Sequence, residues 1–172
     1  MVIWLTGISG SGKSSISNEI IKQYKKYIPN LFNVDGDEIR HLYEEKLGYT
    51  VEDRIKQIKR IQSICKFLDK QGLVVIVSAL YASEELLEWN RNNFLNDFEI
   101  FLDADIDLVQ KRDPKNIYKN YKLGLESNVV GLDIKYNIPK NPDLIIDFKI
   151  NKSVKEVVSI IFDKKKIFKF KK

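Results

Sequence analysis

A chain of 172 residues with 44% hydrophobic residues has the size and composition of one domain with a sizeable core. Its 29 Lys and Arg against 24 Asp and Glu give a net charge of +5, which suits small anionic ligands and falls short of the basic stripe that DNA or RNA binding requires. A single cysteine, Cys65, excludes a disulfide framework, and no run approaches the roughly 18 apolar residues of a membrane span. With no charged or long apolar leader, a cytoplasmic setting is expected.

The first predicted strand, VIWLT (2–6), runs straight into GISGSGKS (7–14). This fits G-x-x-x-x-G-K-[ST] at Gly7, Gly12, Lys13 and Ser14, placed between a strand and an apolar-periodic helix as the motif demands. Glycines at 7, 10 and 12 let the backbone turn its N–H groups inward onto a phosphate at the positive end of the following helix. Lys13 is expected to reach the β- and γ-phosphates of a nucleoside triphosphate, and the Ser14 hydroxyl to hold Mg2+. A glycine-rich turn without function would not explain Lys13 followed by Ser14.

The second strand, LFNVD (31–35), ends in DGDEIRH (35–41). Asp35 and Asp37 therefore fall at a strand's carboxyl end, where open α/β sheets bind ligands. One carboxylate can orient magnesium or its waters, and the other can take a proton from an attacking hydroxyl. The same triplet also suits a tight turn with a helix cap. Arg40 and Arg54 are candidate forks for an acceptor's phosphate or acyl group. His41, the only histidine, is expected to cap or pack near a helix start, and a lone histidine disfavours a catalytic metal cluster.

Ile55, Ile58, Ile61, Ile64 and Leu68 form one helical stripe, with Cys65 on its apolar face as a buried thiol. Strands follow at LVVIV (73–77), FEIFLD (98–103) and DLIIDF (143–148), with helix starts at Ser83 and Ser153. This alternation predicts an α/β, three-layer P-loop fold in one domain over 1–172: a five-stranded parallel sheet flanked by helices. Residues 112–142 break the rhythm, with no clear strand and all the prolines but Pro29, and are read as a mobile lid. The lysine-rich end, 164–172, is read as a solvated tail.

The order of these blocks identifies a resemblance. WLTGISGSGKSS, VDGDEIRH, LGYTVEDRIKQIKR, GLVVIVSA, EIFLD, KRDPKNIYK, VGLD and NPDLIID resemble the adenylylsulfate kinases and cover most of residues 3–148. In that family ATP phosphorylates the 3′-hydroxyl of a nucleotide's ribose. The resemblance implies Asp37 as base, Asp35 as its magnesium-side partner and Lys13 on the phosphates. It implies an ATP set of Gly7, Ser9, Gly10, Ser11, Gly12, Lys13, Ser14 and Ser15, with Arg112 against the adenine and Pro142. The implied acceptor set is Asp37, Arg40, Tyr49, Arg54, Gln57, Leu80, Tyr81, Lys115, Val129 and Leu132. A homodimer is implied by the same likeness.

Departures from the family cluster on the acceptor side. Tyr81-Ala82-Ser83-Glu84 stands where the family reads Ser-Pro-Tyr/His-Arg, which predicts direct transfer without a phosphoserine and removes a positive charge. Val129 replaces a phenylalanine that stacks on the acceptor's adenine, a face worth roughly 1–3 kcal/mol. Glu38 and Gln57 replace asparagines. An intact donor side with an altered acceptor side predicts a changed acceptor, and the branch of the family that phosphorylates cytidine diphosphoramidate in capsule synthesis shares this profile. Ordinary adenylylsulfate kinase is the alternative. A non-catalytic nucleotide-binding module and a shikimate- or gluconate-type kinase rank behind it, and nucleic-acid binding ranks last.

Overall fold

The computed structural model describes residues 1–148 and 152–165. Five strands, β1 (Val2–Thr6), β2 (Leu31–Asp35), β3 (Val74–Ala79), β4 (Asp97–Asp103) and β5 (Leu144–Asp147), pair in the order β2-β3-β1-β4-β5. All pairings are parallel, with Val2 opposite Val75 on one side and Asp97 on the other. The central strands are apolar on both faces because helices cover both. Alternate residues part accordingly. Val2, Trp4, Val75 and Val77 join one core cluster, while Ile3, Leu5, Val74 and Ile76 join the other.

The first cluster is closed by α3 (Val51–Lys70) and α4 (Glu84–Asn93), whose Ile58, Ile61, Cys65, Leu86 and Leu87 are buried. The stripe expected from the sequence is therefore the packed face of α3, and Cys65 lies within it. The second cluster is closed by α1 (Lys13–Tyr24) and α7 (Val154–Lys165) through Ile16, Ile20, Val157, Val158 and Ile161. Helix starts follow their caps. Ser83 accepts from the Leu86 N–H, and Ser153 with Glu156 makes a reciprocal capping box.

Residues 112–142 contain no strand, as expected, but they hold α6 (Ile117–Lys122) and a bridge between Val130 and Ile134, after α5 (Ile106–Arg112). Tyr118, Val129, Val130 and Ile134 anchor this segment in the core, which supplies the stability that its irregular sequence does not advertise. His41 stands in the last turn of α2 (Gly36–Leu42), exposed, and neither caps nor packs at a helix start. Most of the lysine-rich end, 166–172, lies outside the described residues.

Candidate active site

The strands' carboxyl ends open into a cleft of about 730 Å³. On its floor, Gly10 and Gly12 hold φ of 77° and 98°, the left-handed region that glycine enters without strain, and the loop delivers Lys13 to the start of α1. The Lys13 ammonium donates to the Gly7 and Ile8 carbonyls at 2.6 and 2.9 Å, folding back over the loop. Burial pushes its pKa down to about 7, and the charge of Lys115 adds to the shift, against the opposing pull of Asp37 and Asp35. A bound phosphate would reverse that penalty.

The Ser14 hydroxyl donates to Asp35 Oδ2 at 2.6 Å, and Asp35 Oδ1 accepts from the Asp37 N–H at 2.9 Å. Asp35 is thus both the N-cap of α2 and the partner of Ser14, so the cap and the functional reading of this triplet coincide. Two hard oxygen donors side by side at the phosphate loop fit a magnesium ion that arrives with a nucleotide and keeps most of its waters. No cluster of three His, Cys, Asp or Glu suited to a metal occurs among the described residues. Asp37, two residues further on, pairs with Lys115 from the segment between α5 and α6.

Beyond Asp37 stand two arginines. Arg40 donates to the Leu47 and Gly48 carbonyls at 3.0 and 2.8 Å; Arg54 donates to the Tyr49 and Asn128 carbonyls at 2.9 and 2.7 Å. Both guanidinium groups lie over the Tyr49 ring, at 4.7 and 5.4 Å from its centroid. Burial and the neighbouring Arg40 lower the pKa of Arg54, so the pair is a concentrated positive patch ready for an anion. Gln57 is buried; its amide donates to the Gly36 carbonyl at 2.9 Å, and its own oxygen has no partner within the described residues. Leu80, Tyr81 and Val129 complete this wall.

At the opposite end, the Arg112 guanidinium lies 5.7 Å from the centroid of the Phe148 ring. Phe148 and Lys152 line the cleft and were missed by sequence reasoning, as were Ser127 and Asn128. Phe148 carried a usable signal, since it is the aromatic at a parallel strand's carboxyl end.

Three expected site residues do not line the cleft. Gly7 packs under it, where an added Cβ would meet the Leu102 carbonyl oxygen at 3.0 Å. Pro142 precedes β5 and so lies at a strand's amino end, away from the carboxyl ends that form the cleft. Leu132 packs against the first core cluster. Glu84 also does not line the cleft. Its carboxylate accepts from Arg91 at 2.8 Å and from the Lys140 N–H at 3.2 Å. Arg91 in turn bonds the buried Glu99 at 2.7 Å.

A phosphate loop between first strand and first helix, with paired carboxylates at the end of the second strand, is the arrangement of a P-loop kinase. Comparison with known proteins narrows the class. The family model described as adenylylsulphate kinase matches residues 1–147, and the chain belongs to that family. An adenylyl-sulfate kinase of Oceanobacillus iheyensis is 34% identical over 162 residues, 93% of this chain and 81% of the relative. A cytidine diphosphoramidate kinase of Campylobacter jejuni is 33% identical over 163 residues, 95% of each chain. The solved Mycobacterium tuberculosis APS kinase CysC, in complex with AMPPNP and APS, superposes with a TM-score of 0.86 at 30% identity, covering 96% of both chains. No helix among the described residues is long and apolar enough to cross a membrane.

Proposed function

We propose that the protein transfers the γ-phosphate of ATP to the ribose 3′-hydroxyl of a nucleotide, with cytidine diphosphoramidate as the preferred acceptor. The observation that carries the transfer is the continuous run from Ser14 through Asp35 to Asp37, which joins the phosphate loop to a carboxylate facing the acceptor half of the cleft. The residues of this chain divide the work. Loop N–H groups and Lys13 bind the triphosphate, while Arg112 and Phe148 offer faces for its base. Ser14 and Asp35 would hold Mg2+, which neutralises charge on the phosphates. Asp37 accepts the proton of the attacking hydroxyl, Lys115 sits beside the path of transfer, and Arg40 with Arg54 binds the acceptor's diphosphate. Closure of the lid read within residues 112–142 excludes water, the competing acceptor. On this reading the protein works in the cytoplasm, where ATP is made available as donor.

The choice of acceptor comes from the resemblance to the cytidine diphosphoramidate branch, and the altered residues Tyr81 and Val129 agree with it. Val129 supplies an aliphatic wall where the family's stacking phenylalanine would stand, which favours a smaller pyrimidine over adenine. Adenylylsulfate is the second reading, supported by the family model and the Oceanobacillus relative. Measuring kcat/KM with each acceptor and Mg-ATP separates them: the cytidine compound is expected to be at least tenfold better, and a higher value for adenylylsulfate would reverse the assignment. Turnover of neither would remove the proposal.

A further inference from the structure

The Tyr118 hydroxyl, in the first turn of α6, donates to the Ser9 carbonyl oxygen at 2.9 Å, across 109 positions of sequence. The side chain is 1% exposed and belongs to the core cluster that also holds Val109, Val130 and Ile134. Asn116, the residue before α6, is in the left-handed region and gives no side-chain cap; Asp113 Oδ2 accepts the Lys119 N–H at 2.9 Å instead, and Tyr118 ties the same turn to the phosphate loop.

The Ser9 carbonyl and the Gly10 N–H are two ends of one peptide group. The peptide is trans, so its C=O and N–H point in opposite directions. With the oxygen drawn toward buried Tyr118, the N–H is aimed the other way, toward the cleft that Ser9 and Gly10 line. The Gly10 N–H has no hydrogen-bond partner among the described residues. Gly10 packs closely on α5: its φ is 77°, and a Cβ built there would meet Val109 Cβ at 3.2 Å. The loop is therefore backed by α5 behind Gly10 and held by α6 at Ser9.

We propose that Tyr118 is a positioning residue of the donor loop: through the Ser9–Gly10 peptide it directs the Gly10 N–H at a bound nucleotide phosphate. This rests on reading the loop as a nucleotide site. Burial raises the phenol pKa to about 12, so the hydroxyl stays a donor throughout the working range of pH. Because α6 belongs to the segment that carries Lys115, the same bond ties the acceptor-side lysine's support to the donor loop.

Tyr118→Phe keeps the ring and deletes the donor. Titration of Mg-ADP into wild type and variant, with 15N-glycine labelling, tests the inference. The dissociation constant should rise roughly five- to tenfold, the equivalent of one lost hydrogen bond. The shift of the Gly10 amide on Mg-ADP binding should shrink while that of Gly12 persists. Equal affinity with an unchanged Gly10 response would overturn the proposal, even if the variant melts earlier, since a merely structural tyrosine would behave that way. Should the variant fail to fold, the wild type still decides: a Gly10 amide that does not move on Mg-ADP binding overturns the role. Failure of the wild type to bind Mg-ADP would instead remove the nucleotide reading itself.

Discussion

Lys115 and Asp37 form an ion pair that ties the segment after α5 to the first turn of α2, at the edge of the phosphate loop. Both side chains are more than half exposed, so the pair adds at most about 1 kcal/mol to stability. On the proposed function Lys115 stands between the phosphate loop and the acceptor, where its charge would act on the transfer. Lys115→Met is expected to leave the melting temperature within about 4 °C and to lower kcat at least about tenfold. A normal kcat would place Lys115 outside the reaction.

Asp37→Asn keeps the shape of the side chain and removes the proton acceptor. It should lower kcat by about 10²- to 10⁴-fold while Mg-ADP affinity stays within about twofold of wild type. Stopped-flow turnover and calorimetric binding read the two effects separately, and an undiminished kcat would sink the assignment of Asp37 as base.

Arg54→Ala releases the bonds to the Tyr49 and Asn128 carbonyls and deletes one fork of the anion patch. The acceptor KM is expected to rise about tenfold or more, with the ATP KM unchanged. A rise confined to ATP would place the arginine pair on the donor side.

Arg91→Ala strips the partner from Glu99, which is 1% exposed, and should destabilise the fold by about 3 kcal/mol. Glu84→Ala removes the partly exposed end of the same network and should cost about 1 kcal/mol, with the acceptor KM unaffected. Urea denaturation and steady-state kinetics check the pair. A changed acceptor KM in Glu84→Ala would place Glu84 in the site.

Burial pushes the Cys65 thiol far above its ordinary pKa, and the charge of Asp69 adds to the shift. A free thiol would be about half ionised near pH 8.5; Cys65 in the native protein should therefore barely react with iodoacetamide at that pH, and should label at the rate of unfolding. Prompt labelling without denaturant would contradict its place in the core.

Much of this was legible in the sequence because it is local. The phosphate loop is read from residues 7–14 alone, and the strands from short apolar runs that both helix layers cover. Ser83 and Ser153 announce their helices because a cap acts within one turn. What sequence reasoning missed depends on distant partners. Glu84 reads in the sequence as a positive charge lost, and its bonds to Arg91 and the Lys140 amide appear only in the fold. Phe148 gains meaning only beside Arg112, and Tyr118 only through Ser9. Residues 112–142 looked irregular because their order comes from four buried anchors and not from periodicity.

The central claim is the position of phosphoryl transfer. Incubating the protein with Mg-ATP and cytidine diphosphoramidate and recording a proton-coupled phosphorus NMR spectrum of the product tests it most directly. The account predicts one new phosphomonoester resonance coupled to the ribose H3′, formed in step with ADP. A phosphate coupled to any other position, or ADP formed with no phosphorylated acceptor, would contradict it.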